Sequence, residues 1–497
     1  MHKRLTFLIL ALFFLVLVPR AACADGGGAV GAMNRVDEVM QYLLQQHISA
    51  PDADQLADGA IQGMLDVLGD PYTEYFSPRQ LADFTGALDG EFIGIGVEVE
   101  ATSSYPRVSG IIDGSPAQRA GVEKGDLIIA VDGQSTQGMP LADVVDKIRG
   151  PEGSVVTITL RRGGSKDFAL TVQREELNVP TVQGQVIQGK TGYIIVHSFG
   201  TRTADEFGAA LDGLKARGIT GLVVDLRDNP GGYLQAAVDV AGYFLPPGKT
   251  VVTLVDHAGK KEVYRASGDG AASGIPVVLL VNGMSASSAE VLAGALQDYR
   301  AAKLVGEQTY GKGVVQDIIP LESGGALKLT VARYYTPAGR CIDGTGLTPD
   351  RAVSIPQLQL AAACQELQPG VPVRIIFNNN GVQVDGEKID GSFAPIYRAG
   401  GLWLPLRFTL EALGYQVAWE PMERNIVAAG PAGRLVLPLG AGKAALNDHP
   451  LGPAGPVITA PGSGGTYLSV SLLQAAGVRV AEHGKEIIVQ GSRKMVN

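Results

Sequence analysis

Between residues 176 and 358 the sequence alternates short apolar runs typical of strands with longer amphipathic runs typical of helices. The strand-like runs include TGYIIVHSF, TGLVVDLR and PVVLLVNG, and the helical runs include ADEFGAALDGLKA and SAEVLAGALQDY. Strands separated by helix-length segments usually pair in parallel, because a parallel connection needs a crossover. This region is therefore predicted to form an α/β core with a parallel sheet.

Three other regions show different patterns. Residues 33–87 carry apolar residues at three- and four-residue spacing, which indicates helices. Residues 88–175 consist of short β-rich runs separated by Gly, Pro and Asp turns, which is typical of a small separate domain. After a predicted linker at 359–371, residues 372–492 contain a repeat, in which GGLWLPLRFTLEALGYQVAW is echoed by GGTYLSVSLLQAAGVRVA. This repeat predicts a small α+β domain with internal duplication.

The composition argues against nucleic acid as a partner. The 497 residues carry a formal net charge of −9, with 41 basic and 50 acidic side chains. Proteins that bind DNA or RNA usually cluster Lys and Arg on one face, and this charge balance provides no such excess. A hydrophobic content of 45% with 18% charged residues is instead typical of a globular protein.

The first residues predict an export signal. A basic pair precedes the apolar run from Leu5 to Val18, and Ala22-Cys23-Ala24 is a small-residue cleavage site, so residues 1–24 are expected to be removed. The run is shorter than the ~20 residues that span a bilayer, which makes an uncleaved, membrane-associated anchor the weaker alternative. A lipoprotein acceptor at Cys23 is weaker still, since Arg20 stands where an aliphatic residue is expected. The expected location is extracellular or in the cell envelope.

A serine-rich helix start and a lysine turn stand out in SASSAEVLAGALQDYRAAKLVGEQTYGKG, residues 285–313. A serine hydroxyl becomes a good nucleophile when a nearby base takes its proton. The two histidines of the α/β region, His197 and His257, have no motif around them, and the sequence lacks the G-x-S-x-G elbow. Lysine can act as the base when burial keeps it neutral, and Lys312 lies in a Gly-Lys-Gly turn before an apolar run. Gln316 could accept a hydrogen bond from the amine and orient it.

Two other interpretations of this segment stay open from the residues alone. Ser287-Ser288-Ala289-Glu290 fits a capping box at a helix start. A cap and a nucleophile are compatible, because a helix N-terminus also supplies N–H donors that stabilise an oxyanion. The stretch GEQTYGKG is close to a P-loop, but Gly313 stands where a magnesium-binding hydroxyl belongs, and a strand-like run follows. No nucleotide cofactor is therefore expected.

The stretch VNGMSASSAEVLAGALQDYRAAKLVGEQTYGKGVVQ resembles the active-site segment of the carboxy-terminal processing (tail-specific) proteases, which are exported serine endopeptidases with a Ser/Lys dyad. LGDPYTEYFSP and ARYYTPAGRCIDGTGLTPD also match family segments, so the resemblance covers residues 33–358. It implies that Ser287 is the nucleophile, Lys312 the general base and Gln316 the residue that orients the lysine. The family usually has Gly-Ser-Ala-Ser-Ala-Ser-Glu where this chain has Met-Ser-Ala-Ser-Ser-Ala-Glu, and the departures keep the second serine and the glutamate.

The same resemblance extends to the oxyanion hole and the fold. DLRDNPGGYL is similar to a family strand-turn-helix, which implies a donor at Gly231 or Gly232 together with the N–H of Ser288, although Asn-Pro-Gly-Gly is also an ordinary turn. The implied fold is an α/β, crotonase-like (ClpP-like) protease core with N-terminal helices, an inserted β-rich domain and a small C-terminal domain. The implied chemistry proceeds through an acyl-enzyme and uses no metal or other cofactor.

The inserted region, 88–175, resembles a PDZ domain through GEFIGIGVEVE and SPAQRAGVEKGDLIIAVDGQ. PDZ domains add a peptide to a sheet edge and hold its terminal carboxylate with backbone N–H groups of a glycine-containing loop. The matching loop consists of Phe92, Ile93, Gly94 and Ile95. Arg149 matches an arginine that in some relatives links the ligand-bound module to the catalytic lysine region, so a gate is expected. The alternative is that Arg149 is a solvated charge before a turn.

The region 372–492 resembles the copper amine oxidase N-terminal-like domain of bacterial envelope proteins, through LWLPLRFTLEALGYQVAW. No metal site is expected there, since His449 and His483 are isolated in the sequence. Cell-wall polymer or an envelope protein is the expected partner, and a spacer role is the alternative. For Cys341 and Cys364, pairing and burial as thiols both stay open.

The sequence as a whole predicts an exported, PDZ-containing serine endopeptidase that acts on protein or peptide substrates with free carboxy-termini. A homodimer is compatible with this prediction. The alternative from another class is a catalytically inactive PDZ scaffold or envelope adaptor.

Overall fold

A parallel sheet forms the centre of the α/β core. The computed structural model describes residues 26–398, 401–439, 442–454, 457–459 and 465–491. Neighbouring strands of this six-stranded sheet are parallel, apart from an antiparallel first strand. In sheet order the strands are Val182–Ile187, Thr191–Val196, Gly221–Asp225, Val277–Val281, Lys303–Gly306 and Arg351–Ala352. The predicted α/β core is confirmed.

The two faces of this sheet are covered by different parts of the chain. Side chains alternate between the faces along a strand, so Leu279 and Val281 share one face while Val278 and Leu280 share the other. Leu279 and Val281 belong to a core that includes the helices Thr203–Ala216, Leu234–Ala241 and Ser288–Asp298. Val278 and Leu280 belong to a second core, which includes helix Pro356–Leu367 and the C-terminal domain.

Helix Pro356–Leu367 corrects the predicted linker at 359–371. Seven of its residues are buried, among them three successive alanines that let the helix lie close to the sheet. The Gly and Pro residues at 369–372 do mark a break, but this break follows a packed helix. The connection to the C-terminal domain is therefore only a few residues long.

A second, antiparallel sheet lies beside the core. Its strands include Val314–Pro320, Ala326–Tyr335, Thr250–Asp256 and Lys261–Arg265. The turn that carries Lys312 lies between the last long strand of the parallel sheet and the first of these antiparallel strands. This position brings the lysine towards the helix that begins after Ser287.

The inserted module that was predicted to be a PDZ domain, called the PDZ module below, has its own core and is joined to the rest by a two-stranded ribbon. Its strands are Val97–Glu100, Arg107–Ile111, Leu127–Val131, Gln134–Ser135, Val155–Arg161 and Phe168–Gln173, with helices Pro116–Ala120 and Leu141–Ile148. The ribbon pairs Glu91–Gly94 with Glu175–Asn178. Phe92, Ile93 and Gly94 therefore lie on a strand, and their prediction as a loop was wrong. They form a strand because the segment that enters the inserted domain pairs with the segment that leaves it.

The C-terminal domain contains the predicted duplication. Each copy is a strand, a short helix and a second strand: Gly401–Pro405, Leu406–Ala412 and Gln416–Glu420, then Thr466–Ser469, Val470–Ala475 and Arg479–His483. The first strands of the two copies pair with each other. The remaining strands are Val373–Asn378, Gly381–Val384, Glu387–Ile389, Ile396–Arg398, Asn425–Gly430, Gly433–Pro438, Lys443–Leu446, His449–Ala454, Val457–Thr459 and Glu486–Gly491.

The N-terminal unit, residues 1–75, is mainly helical in its described part, from residue 26 on. Its helices are Gly26–Gln46 and Ala53–Leu68, the second capped by Asp52 and ended by Gly69 in the left-handed conformation. A short strand, Glu74–Phe76, and helix Pro78–Asp89 follow in the chain. The predicted signal, residues 1–24, lies outside the described residues. In the part of the chain that is described, no helix combines the length and apolar character needed to cross a membrane.

Candidate active site

A sharp turn connects a buried strand to a helix at the end of the parallel sheet. Strand Val277–Val281 precedes the turn, and helix Ser288–Asp298 follows it. Ser287, at the end of the turn, adopts φ 55° and ψ −119°. A residue with a Cβ rarely occupies this region, and such strain is concentrated at functional sites. The geometry is that of a strained strand-to-helix elbow, although the G-x-S-x-G pattern is absent.

Hydrogen bonds tie this turn to the neighbouring one. The hydroxyl of Ser285 donates to the carbonyl of Leu226 at 2.7 Å and accepts the N–H of Asn282 at 3.0 Å. The N–H of Ala286 donates to the carbonyl of Asn229 at 3.0 Å. The first serine of the motif is thus buried and structural, while the second is half-buried at a cavity wall.

The two glycines predicted at the oxyanion hole differ in their hydrogen bonds. The N–H of Gly231 donates to Oδ1 of Asn229 at 2.8 Å, so this donor is already engaged. Gly232 has a φ of 145°, and a Cβ there would lie 2.3 Å from the carbonyl oxygen of Phe199. Phe199 and Gly232 form an isolated parallel β-bridge, in which the N–H of Phe199 donates to the carbonyl of Gly231 and the N–H of Tyr233 donates to the carbonyl of Phe199. The N–H of Gly232 takes no part in these two hydrogen bonds.

Ser288 supplies a second backbone amide beside Gly232. Ser288 begins the helix, so its N–H has no acceptor within the helix. Its hydroxyl donates to the carbonyl of Gly232 at 2.8 Å, which holds the two residues together. Both residues line the same cavity as Ser287. A pair of amides beside a serine is the arrangement that stabilises an oxyanion.

The Gly-Lys-Gly turn packs closely against the loop 343–346. A Cβ on Gly311 would lie 2.8 Å from the backbone nitrogen of Gly346, and one on Gly313 would lie 2.5 Å from that of Asp343. The N–H of Gly313 donates to Oδ1 of Asp343 at 3.3 Å. The close backbone approach expected of the flanking glycines is therefore present, and it leaves Lys312 half-buried at the cavity wall.

Glu290 connects the serine turn to the lysine turn. Its carboxylate accepts the N–H groups of Ser287 at 3.0 Å, Gly311 at 2.8 Å and Lys312 at 2.9 Å, and the hydroxyl of Thr309. Burial raises the pKa of Glu290, although these hydrogen bonds oppose the shift. The sequence indicated Glu290 only as part of a helix cap, because contacts to a segment about twenty residues on leave no local pattern.

The three residues predicted for catalysis line one cavity of 430 Å³. The side-chain amide of Gln316 donates to the hydroxyl of Thr330 at 3.4 Å. The walls are largely apolar and include Phe84, Leu88, Pro230, Tyr233, Leu234, Val291, Val315, Ile318 and Tyr334. A cavity of this size beside a strained serine is large enough to accept a substrate side chain.

The four residues predicted for peptide binding line a separate groove of 310 Å³ on the PDZ module. This groove runs between the edge strand Val97–Glu100 and helix Leu141–Ile148, and its lining is mainly aliphatic. Arg149 lies at the same groove, with its guanidinium 5.7 Å from the centre of the Phe92 ring. Arg149 therefore lies at this groove and is not among the residues that line the cavity of Ser287 and Lys312.

The two cysteines among the described residues, Cys341 and Cys364, are free thiols in the structure. Cys341 is exposed and Cys364 is buried. Burial raises the pKa of Cys364 to about 11. Among the described residues, no group of three or more His, Cys, Asp or Glu side chains is arranged to hold a metal ion.

Four segments match models of known families. Residues 190–353 match peptidase family S41, and residues 107–162 match a PDZ domain. Residues 21–79 match the N-terminal domain of the activating protease CtpB, and residues 383–490 match the copper amine oxidase N-terminal domain. The matches follow the order of the segments recognised in the sequence.

Two relatives found by sequence agree with these matches. A probable CtpA-like serine protease of Staphylococcus saprophyticus is 36% identical over 329 residues, which cover 66% of this chain and 66% of that protein. A carboxy-terminal-processing protease of Bartonella bacilliformis is 38% identical over 327 residues, which cover 65% of this chain and 75% of that protein. The solved photosystem II D1 C-terminal processing protease is 33% identical, with 67% of this chain and 90% of that chain covered and a TM-score of 0.41.

The fold and the site define an α/β protein of the serine-hydrolase type with an inserted PDZ domain. Within that class, the chain belongs to peptidase family S41 and to its carboxy-terminal-processing proteases. The chain spans 66% of the length of the staphylococcal relative that it matches.

Proposed function

We propose that this chain is an exported serine endopeptidase that cleaves peptide bonds through a Ser/Lys dyad. The observation that carries the proposal is the joint placement of Ser287, Lys312 and Gln316 on one cavity, with Ser287 on a strained turn beside two backbone amides. A strained backbone conformation lowers the stability of the folded protein by about 1–3 kcal/mol, and such strain is usually retained where the residue has a function.

In the proposed reaction, neutral Lys312 takes the proton from the hydroxyl of Ser287 as the oxygen attacks the substrate carbonyl. The resulting oxyanion accepts hydrogen bonds from the amides of Gly232 and Ser288. The lysine ammonium then gives its proton to the leaving amine, and an acyl-enzyme remains on Ser287. Water, deprotonated by Lys312, then attacks the acyl carbon; the ester bond to Ser287 breaks, the lysine ammonium returns the proton to the serine oxygen, and the product leaves as a carboxylic acid. Gln316 orients the lysine amine.

The PDZ groove supports recognition of a free, apolar carboxy-terminus. A peptide that pairs with the edge strand Val97–Glu100 would place its last side chain against the aliphatic lining, which includes Ile95, Val145 and Ile148. Arg149 is proposed to respond to this ligand, since it lies on the groove and contacts Phe92 on the ribbon that leads to the catalytic core. Ligand binding at the groove would then move the module relative to the core.

The N-terminal unit is proposed to bind a second copy of the chain. Four apolar residues of helix Gly26–Gln46 are more than half exposed: Val30, Met33, Val36 and Val39. Clusters of exposed apolar residues of this kind usually mark an interaction surface. Binding of cell-wall polymer or an envelope protein remains the proposal for the C-terminal domain.

The proposal is tested by digesting an unstructured protein, such as a casein, with the wild type and with Ser287→Ala and Lys312→Ala. Each variant is expected to lose nearly all activity and keep its fold, and the double variant is expected to be scarcely worse, because residues that act as a unit are not additive. Digestion by purified Ser287→Ala would place the chemistry elsewhere. A wild type that binds peptides but digests nothing would favour the inactive scaffold.

A further inference from the structure

Tyr334 contacts both the nucleophile and the turn of the proposed base. It lies near the end of strand Ala326–Tyr335, is 1% exposed and lines the catalytic cavity. Its phenol donates to the carbonyl oxygen of Ser287 at 3.2 Å. Its backbone N–H donates to the carbonyl of Gly313, next to Lys312, at 3.0 Å. One residue therefore spans the two segments that must meet for catalysis.

The contact to Ser287 matters because Ser287 is strained. A residue at φ 55° persists in that conformation only when its surroundings hold it there. Glu290 holds the N–H of Ser287, while Tyr334 and the N–H of Val291 hold its carbonyl. Hydrogen bonds on both sides of its Cα therefore fix the backbone of Ser287, and with it the position of the hydroxyl. Loss of the bond from Tyr334 would let the hydroxyl move relative to Lys312.

The phenol of Tyr334 is held in its protonated form. Burial raises its pKa well above the usual value, and the nearby carboxylates of Glu290 and Asp343 raise it further. The protonated phenol is therefore the donor in its hydrogen bond to the carbonyl of Ser287.

We propose that Tyr334 is a positioning residue for acylation, whose phenol fixes the carbonyl of Ser287 and thereby the place of its hydroxyl relative to Lys312. This inference rests on the proposed function of Ser287 and Lys312. Tyr334 exchanges no proton with the substrate in this role. Its ring keeps the shape of the cavity wall, so the phenol is expected to affect kcat and to leave KM nearly unchanged.

The test compares Tyr334→Phe with Tyr243→Phe. Tyr243 is a matched control, because its phenol also donates to a backbone carbonyl of the same core, that of Ala204 at 3.0 Å, away from the cavity. Three quantities are measured for each variant: kcat and KM on a peptide reporter, the rate at which a small serine-directed acylating probe labels Ser287, and the melting temperature. Ser287→Ala is included as the unlabelled reference.

Tyr334→Phe is expected to lower both kcat and the labelling rate about tenfold, which corresponds to about 1.4 kcal/mol in the barrier. Its KM should stay within about twofold, and Tyr243→Phe should keep the wild-type kcat. Unchanged kcat and labelling in Tyr334→Phe, with Ser287→Ala inactive, would overturn the inference and leave the proposed function standing. An equal loss of kcat in Tyr243→Phe would also overturn the inference, because it would show that removing any phenol from this core lowers kcat. Activity in Ser287→Ala would overturn the proposed function and this inference together.

Discussion

The PDZ module and the C-terminal domain are attached to the same catalytic core in opposite ways. The core of the PDZ module contains residues between Ile95 and Val172 alone, and a two-stranded ribbon connects it to the rest. The C-terminal domain shares one core with the parallel sheet, so Val278 and Leu280 are buried together with Leu404 and Phe408. A domain attached by a ribbon, such as the PDZ module, can move as a rigid body. A domain that shares a core with its neighbour, such as the C-terminal domain, is expected to fold together with it.

Buried polar contacts strengthen the second attachment. Glu411, in the C-terminal domain, accepts the N–H groups of Ser354 at 3.0 Å and Ile355 at 3.2 Å, at the start of helix Pro356–Leu367. The guanidinium of Arg351 donates to the carbonyl of Glu411 at 3.1 Å. The start of a helix presents N–H groups without partners inside the helix, so Glu411 acts as an external cap.

The same helix supports the active-site turn. The guanidinium of Arg227 pairs with Asp225 at the end of a core strand and donates to the side-chain oxygen of Gln359 at 3.1 Å. Arg227 precedes the turn that contains Gly231 and Gly232. The C-terminal domain is therefore connected, through helix Pro356–Leu367 and Arg227, to the segment that contains the proposed oxyanion hole.

The largest expected effect comes from deleting each domain in turn. Removal of residues 372–497 opens the core that the C-terminal domain shares with helix Pro356–Leu367 and exposes apolar residues of that helix, and we expect little soluble, folded protein. Removal of residues 95–174 is expected to leave a folded core, because Gly94 and Glu175 are already paired and a two-glycine loop can join them. The measurements are soluble yield, circular dichroism and labelling of Ser287 by a small probe.

The second deletion also tests the gate. The variant that lacks the PDZ module should keep labelling of Ser287 and lose any activation by a peptide with a free apolar carboxy-terminus. Normal folding and labelling of the chain without its C-terminal domain would contradict the conclusion that this domain shares a core with the catalytic region. Unfolding of the core after removal of the PDZ module would contradict the conclusion that this module is attached only by its ribbon.

An intermediate effect is expected from Glu411→Ala. Glu411 is 2% exposed, and its loss leaves the N–H groups of Ser354 and Ile355 without their acceptor, while the half-exposed Arg407 keeps its hydrogen bond to the carbonyl of Val417. We expect the free energy of unfolding to fall by about 1–3 kcal/mol. The matched control is Glu420→Ala, whose exposed pair with Arg434 should be worth less than about 1 kcal/mol. Equal midpoints for the two variants in urea unfolding would contradict the shared core.

The sequence predicted the local parts of this architecture and missed its long-range parts. The alternating core, the two-copy C-terminal domain and the tight Gly-Lys-Gly turn each depend on residues close together in the chain. The bridging role of Glu290 and the contacts of Tyr334 join segments far apart in sequence, and hydrogen bonds of that kind leave no periodic pattern. The buried run of strand Val277–Val281 indicated that both sheet faces are covered, but not that the core on one face continues through helix Pro356–Leu367 into the C-terminal domain.

The smallest expected effect concerns acid, and it separates the PDZ module from the catalytic core. Burial favours the neutral form of Asp126, but the guanidinium of Arg162 and the N–H of Glu123 outweigh it and hold the pKa below the ordinary value of 3.8. The unfolded chain then binds a proton at this group more readily than the folded one. The stability that Asp126 contributes is therefore present above about pH 4 and is lost as the pH falls further.

The pKa of Glu290, in the catalytic core, is shifted in the opposite direction to that of Asp126. Burial raises its pKa above the ordinary 4.5, so the folded core binds that proton more readily than the unfolded chain, and acid does not weaken the core at this group. Calorimetry between pH 6 and pH 3 should therefore show the PDZ transition falling faster than that of the core. Asp126→Asn should flatten the fall, while Asp167→Asn, whose pair with Arg161 is exposed to solvent screening, should flatten it less. A PDZ transition in Asp126→Asn that falls as steeply as in the wild type would show that another group carries the acid sensitivity.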